Sequence, residues 1–184
     1  MNGRMKKKKL RGYERELQNL NRAKIRGGVW IDAGCGQGAY TLPLAILTDK
    51  VYAIDQNRAA IQILKSRLQQ EELKNVECKQ GNFNDSTIFL EKKIEGVLFA
   101  FSLHYQEKID LLVEILQAQS TQEHFRIVIL DYMRTEPVYW VPKPCPPSKI
   151  LHMIENNSLY KAEINYQNGR YYILTIDKKT EKTT

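Results

Sequence analysis

Residues 30–40, WIDAGCGQGAY, set glycines at 34, 36 and 38 directly behind an apolar run that carries an aspartate, Asp32. An apolar run, a glycine-rich turn and then a helical pattern form the strand-to-helix connection of an α/β sheet. In open sheets of that class ligands bind beyond the carboxyl ends of the strands, near the first strand. Glycine there supplies unusual backbone angles and lets a ligand come close to the main chain. Glycines also serve tight turns that bind nothing, but three alternating in one turn favour a ligand.

Outward from this turn, short apolar runs alternate with helical patterns. VWIDA (29–33) predicts a buried strand and the turn leads into a helix from about Tyr40 to Leu47, where Pro43 fits because a first helical turn has no use for its amide hydrogens. VYAID (51–55) is the second strand, followed by a helix with Ile61, Leu64 and Leu68 on one face. VECKQ (76–80) predicts a third strand and STIFLEKK (86–93) a short helix. GVLFAFSL (96–103) and RIVIL (126–130) are continuous apolar runs, as in strands covered on both faces, with KIDLLVEILQAQ (108–119) as a covering helix between them. TEPVYWVPKPCPP (135–147) holds five of the six prolines and predicts irregular chain, after which Ser148 is expected to cap a helix carrying Ile150, Leu151 and Ile154. KAEINYQ and RYYILTID flank Asn168-Gly169, a hairpin signal, so the last two strands are expected to be antiparallel. Upstream, Tyr13, Leu17, Leu20 and Ile25 recur at helical spacing as far as Gly27-Gly28. The sum is an α/β fold with a mostly parallel sheet. The expected organisation is a basic arm and helix over 1–27, a single domain over 28–177 and a disordered tail over 178–184.

The chain has 184 residues, about one domain, and its 42% hydrophobic content suits a globular protein. No apolar run approaches the roughly 18 residues of a membrane span, and the basic N-terminus has no apolar stretch behind its lysines, so it does not read as a secretory signal. Cys35, Cys78 and Cys145 lie far apart without a CxxC, against a metal site or a disulfide framework, and a reduced, cytoplasmic setting is expected. In that setting Asn84-Asp85-Ser86 and Asn156-Asn157-Ser158 are chance matches to glycosylation acceptors. The net charge of +7 is concentrated in Arg4, the lysines 6–9 and Arg11, a pattern of a solvated terminus more than of a nucleic-acid grip.

Two ligand classes compete for the glycine turn. Gly34, Gly36 and Ala39 match, loosely, the G-x-G-x-x-G/A pattern of dinucleotide binders. Asp32 weighs against them, because a carboxylate there repels a pyrophosphate docked at the helix N-terminus. A ligand with an ammonium and a sulfonium and no phosphate suits Asp32 better, and S-adenosylmethionine is such a ligand. Asp55, ending the second strand, can accept hydrogen bonds from both ribose hydroxyls, a role that either ligand would use.

VWIDAGCGQGAYTLPLA followed by VYAIDQN resembles the first two motifs of the class I S-adenosylmethionine-dependent methyltransferases, and the likeness runs from about Gly28 to Asp177. The resemblance implies a Rossmann-like, doubly wound, seven-stranded sheet with the last strand inserted antiparallel beside the fifth. It implies that Asp32 and the backbone from Gly34 through Cys35 and Gly36 to Gly38 hold the methionine part of the cofactor, Asp55 the ribose, and Gln56 the adenine's flank. After the third strand the family often has an acid that reaches the adenine amino group; here Asn82 takes that position, with the Phe83 main chain near the ring and Asp85 as the alternative alignment. Phe101 would come near the methionine end through its backbone. The product would be S-adenosylhomocysteine, and no metal is implied.

Methyl transfer from a sulfonium is an in-line displacement that needs alignment first and a general base only for an acceptor that must lose a proton early. His104 and Tyr105, in FAFSLHYQEK at the ligand-bearing end of the fourth strand, are the candidate catalytic residues; several small-molecule methyltransferases of the family have a similar segment. Whether His104 takes a proton or only bonds a neighbouring loop stays open. Tyr40 and Tyr132 point to the same end, and His124 and His152 read as structural. The family's amino-group methyltransferases commonly carry an Asn/Asp-Pro-Pro-aromatic motif where this chain has SLHY, and its pyrimidine C5 enzymes need a cysteine nucleophile, whereas Cys145 reads as a bystander thiol. The expected acceptor is therefore a small molecule. An RNA or ribosomal acceptor gripped by the basic arm, or a cofactor-binding module without turnover, are the alternatives. No membrane contact is expected, and oligomeric state is not legible.

Overall fold

The alternating pattern folds as a seven-stranded sheet in a computed structural model that describes residues 12–83, 93–106 and 109–179. Helix α1 (Glu14–Arg22) leads into β1 (Val29–Ala33), α2 (Thr41–Leu47), β2 (Lys50–Asp55), α3 (Arg58–Gln70) and β3 (Val76–Gln80). Then follow β4 (Gly96–Ala100), a 3-10 turn (Leu103–Tyr105), α4 (Leu111–Ala118), β5 (Arg126–Tyr132), α5 (Pro147–Glu155), β6 (Tyr160–Gln167) and β7 (Tyr171–Lys178). The spatial order is β3-β2-β1-β4-β5-β7-β6, and β7 alone runs against the direction of the other six strands. The order reverses between β1 and β4, the switch point at which such sheets open a crevice.

Alternate side chains of the buried strands feed two layers. On one face Phe99, Ile127, Ile129, Leu174 and Ile176 pack under α4 and α5. On the other, Trp30, Val51, Leu98, Val128 and Ile173 pack under α1 and α2 with Leu20, Ala23 and Ile25, and Ala53 meets α3 through Ile61 and Leu64. Helix α1, which the sequence reading groups with the arm, is thus joined to the sheet; Asn19 within it donates to the Tyr40 hydroxyl at 2.9 Å and accepts from Tyr171 at 3.1 Å.

Two local expectations are corrected, and the expected hairpin closes by a turn of its own. The apolar run 96–103 is not strand throughout: β4 stops at Ala100 because Phe101 turns to a φ of 55°, its amide bonding Leu130 O at 2.8 Å. Helix α5 is not capped by Ser148; it starts at Pro147 after Pro146 with no side-chain cap, since proline at the first position gives up only an amide hydrogen the helix cannot use. The hairpin forms, but not as the turn an Asn-Gly pair favours, because Gly169 has no positive φ. Asn168 instead closes an Asx turn, its Oδ1 accepting from the amides of Arg170 at 2.8 Å and Tyr171 at 3.0 Å. The lysine run, Asp85, the glycosylation match at 84–86, nearly all of the helix at 86–93 and most of the tail lie outside the described residues.

Candidate cofactor and acceptor site

A cleft of about 970 Å³ opens at the carboxyl ends of β1, β2 and β4. The three glycines reach it by different physics. At Gly34 (φ +78°) a Cβ would lie 2.5 Å from Ser102 Cβ and 3.0 Å from Phe83 Cε1, so a bare backbone lets the loops after β1, β3 and β4 converge. At Gly38 (φ +87°) it would lie 2.4 Å from Leu64 and 2.8 Å from Leu42, so this glycine seats the loop on α2 and α3. Only at Gly36 (φ +51°) does a Cβ meet nothing within 4 Å, and Gly36 lines the cleft.

Four amides of this loop are already used. Gly34 and Cys35 both donate to Ile54 O, at 2.9 and 3.0 Å, Gly38 donates to Cys35 O at 2.9 Å, and Gly36 donates to Asp55 Oδ2 at 2.8 Å. A phosphate site needs such N–H groups free and converging. With these four spent and two carboxylates close by, the loop is a poor cradle for a pyrophosphate and a good one for a cationic, phosphate-free ligand.

Asp32 is 1% exposed and sits behind the loop, not on the cleft wall. Thr41 donates to its Oδ2 at 2.6 Å, while its Oδ1 has no partner. Burial pushes its pKa up to about 7, the nearby Asp55 adds to the rise and the Thr41 hydroxyl opposes it. An orphaned carboxylate oxygen in that position suits a ligand that brings a cation. Asp55 lines the cleft and ties two loops, its other oxygen accepting from Asn57 N at 2.8 Å; each oxygen keeps a lone pair for a ligand hydroxyl. Asn57 in turn caps α3 by accepting from Ala59 N and Ala60 N.

Gln56, Asn82 and Phe83 line the same cleft, as does Cys35, whose thiol burial pushes up and keeps protonated. Phe101 lines it too, within a group of rings: Tyr132 at 4.9 Å, Tyr171 at 5.9 Å and Tyr40 at 6.0 Å between centroids. Tyr105 is on the wall and 55% exposed, but His104 is 1% exposed behind it. Asp131, also buried, accepts from His104 Nδ1 at 2.7 Å, from the His104 amide at 3.1 Å and from the Tyr132 amide at 2.8 Å. The neighbour that the sequence left unnamed for His104 is therefore Asp131, on β5. Tyr132 rings lie 5.5 Å from His104, whereas His124 and His152 are exposed on the surface. Cys145 is buried, its thiol raised to about 12 chiefly by burial with Asp131 adding.

Sequence reasoning missed Thr41, Ser102, Gln106 and Asp131. Thr41 stands nine residues after Asp32 at the start of a predicted helix, and Asp131 breaks an apolar strand; both were readable anomalies. Ser102, whose hydroxyl donates to Ala33 O at 2.6 Å, and Gln106 carried no signal. Among the described residues no group of side chains is arranged to hold a metal, and no helix is long and apolar enough to cross a membrane.

The architecture has many solved counterparts. An rRNA methylase from Streptococcus thermophilus is similar at a TM-score of 0.62 and 18% identity, over 89% of this chain and 95% of that one. SMU.1697c from Streptococcus mutans, solved with SAH, gives 0.62 and 19% over 89% and 97%. Magnesium protoporphyrin IX methyltransferase from Synechocystis, solved with SAM, gives 0.61 and 15% over 90% and 77%. No curated protein matches the sequence. The family model described as a methyltransferase domain matches residues 25–181, and with the motifs at Asp32–Gly38 and Asp55 this chain belongs to the methyltransferase domain family, within the class I S-adenosylmethionine-dependent methyltransferases.

Proposed function

We propose that the protein methylates a small-molecule acceptor at the cleft between the glycine loop and the turn after β4. The observation that carries this reading is the loop whose Gly34, Cys35, Gly36 and Gly38 amides are spent on Ile54, Asp55 and Cys35, beside the partnerless oxygen of Asp32. S-adenosylmethionine supplies a methyl group on a sulfonium, already activated for displacement. The chain's part is then to bind, align and keep water out. Asp55 takes the ribose hydroxyls on its remaining lone pairs, Gln56 flanks the adenine with Asn82 and Phe83, and the space over Gly36 admits the chain of the ligand. Asp32 acts by its charge on the ammonium. At the acceptor end, Phe101, Tyr40 and Tyr105 offer ring faces to a flat or apolar acceptor. His104 is buried behind Tyr105, so it takes the acceptor's proton only where Tyr105 gives way; with Asp131 accepting from Nδ1–H, the nitrogen left to do so is Nε2.

Calorimetric titration with S-adenosylmethionine, S-adenosylhomocysteine and NADH tests the cofactor, and methyl transfer in a screen of hydroxyl, amine and carbon acceptors tests the reaction. Micromolar binding of the first two ligands alone is expected; binding of NADH alone overturns the reading. RNA is the second candidate acceptor, favoured by the net charge of +7 and by the likeness to the Streptococcus thermophilus rRNA methylase. It predicts RNA binding that weakens steeply with salt, as phosphate contacts release counterions.

A further inference from the structure

The segment after β5 presents two large rings to solvent. Tyr139 is 97% exposed and Trp140 57%, and the two are consecutive. They form the tip of a tight turn, closed by Val138 N donating to Val141 O at 3.1 Å and Val141 N donating to Val138 O at 3.0 Å. The base of this turn is fixed. Val141 is buried, Lys143 N donates to His104 O at 3.1 Å, and the Tyr172 hydroxyl donates to the Cys145 carbonyl at 2.6 Å. Pro137 and Pro142 restrict the backbone on either side of the tip. The rings are therefore held outward by a preorganised base. Size and charge narrow what they meet. Two aromatic side chains bury at most about 500 Å², below the roughly 800 Å² per partner of a stable protein interface. A nucleic-acid strand is bound along a groove that tracks its backbone, whereas a two-residue tip is convex. A lipid surface accepts a tip, because Trp and Tyr rings settle at the headgroup level with one end apolar and the other wet. Residues 137–142, PVYWVP, carry no charge. Of the exposed charged residues that flank them, Arg134, Lys143 and Lys149 are cations and Glu136 is the one acid. The chain's net charge of +7 has the same sign, and anionic headgroups attract such a surface.

We infer that the Tyr139-Trp140 tip docks the protein on an anionic lipid surface, with the two rings in the headgroup layer and the flanking cations against the lipid phosphates. The contact is peripheral, since among the described residues no helix is long and apolar enough to cross a membrane. It departs from the sequence reading, which expects no membrane contact, because a six-residue apolar run is ordinary until its exposure is known. The inference stands apart from the cofactor reading and does not depend on which acceptor is methylated.

The chain carries its own probe for the test. Of its two tryptophans Trp30 is 2% exposed, so a change of emission on docking reports Trp140. The full chain is titrated with vesicles of phosphatidylcholine and phosphatidylglycerol in equal parts, read by tryptophan emission and by cosedimentation. A saturating blue shift is expected, with an affinity that falls as salt rises. Trp140→Ala should weaken cosedimentation by about tenfold or more, the worth of one desolvated side chain of this size. Trp140→Phe keeps a ring and should lose less. Both variants should keep the wild-type melting temperature without vesicles, which separates lost docking from lost folding. A wild-type chain that neither shifts nor sediments with these vesicles overturns the inference. So does undiminished sedimentation of Trp140→Ala, which would move the contact to the basic N-terminal residues. A shift with oligouridylate and none with vesicles also overturns it, and would make the tip a platform for RNA.

Discussion

Asp32 joins two consequences of one buried charge. Its folded pKa of about 7 lies above the unfolded value of about 4, so folding takes up a proton in between. The stability it contributes is fully present below about pH 4 and is lost as pH rises through about 7, at most about 4 kcal/mol for a shift of that size. Ligand-free wild type should therefore lose melting temperature across that window by an amount absent from Asp32→Asn; equal pH profiles would remove the effect. Binding runs the other way, because a ligand ammonium favours the ionised form. Affinity for S-adenosylmethionine should fall by up to about tenfold per unit as pH drops below 7 in wild type, and stay flat and weak in Asp32→Asn. The glycines separate in the same manner. Gly36→Val should abolish binding, since it fills the open space of the cleft, and its positive φ adds a modest cost to folding. Gly38→Ala should cost folding first, about 1–3 kcal/mol, because its Cβ meets Leu64 and Leu42 inside the protein. A denaturation curve and a titration on each variant distinguish the two. From the sequence all three glycines pointed equally to a ligand; which of them serves packing depends on contacts with residues 42, 64, 83 and 102, and no local pattern reports those.

Between elements, Asp55 is a tie as well as the proposed ribose-binding group. A strand-end acid read from sequence predicts loss of binding with little loss of folding. In the fold its two oxygens hold Gly36 of the turn after β1 and Asn57, the cap of α3. Asp55→Ala should therefore weaken cofactor binding sharply and also lower stability by about 1–3 kcal/mol, through two charge-assisted bonds to partly exposed amides. Urea unfolding without ligand measures the second part, and an unchanged midpoint would return Asp55 to a purely ligand-facing role. Strands β1 and β3 have the bounds that apolar runs and turn residues indicate, because their limits are set locally. The end of β4 was not legible, because a positive φ at Phe101 is imposed by its bond to Leu130 and its ring contacts with Tyr40, Tyr132 and Tyr171. The His104–Asp131 pair was hidden for the same reason: 27 residues separate its members, and only the β4–β5 pairing brings them together.

Across the whole molecule, the last strand in the chain is among the most interior in the sheet. Insertion of β7 between β5 and β6 gives it neighbours on both sides and helices on both faces, so it feeds both layers at once. Ile173 packs into the layer under α1 and α2, and Leu174, next in sequence, into the layer under α4 and α5; both are 0% exposed. Each truncation to alanine removes buried methyl groups and leaves a cavity, at about 2–5 kcal/mol. Because the sheet separates the two side chains and they share no cluster, the costs should add to within about 0.5 kcal/mol in the double variant. Set against a typical domain stability of about 5–15 kcal/mol, the Ile173→Ala, Leu174→Ala chain stands near the limit of folding, although both changes are made in the final dozen residues. Urea unfolding of the two single variants and the double variant checks the sum. A strongly sub-additive result would mean that the two layers relax together, so that the sheet does not hold them apart as β7's double burial requires.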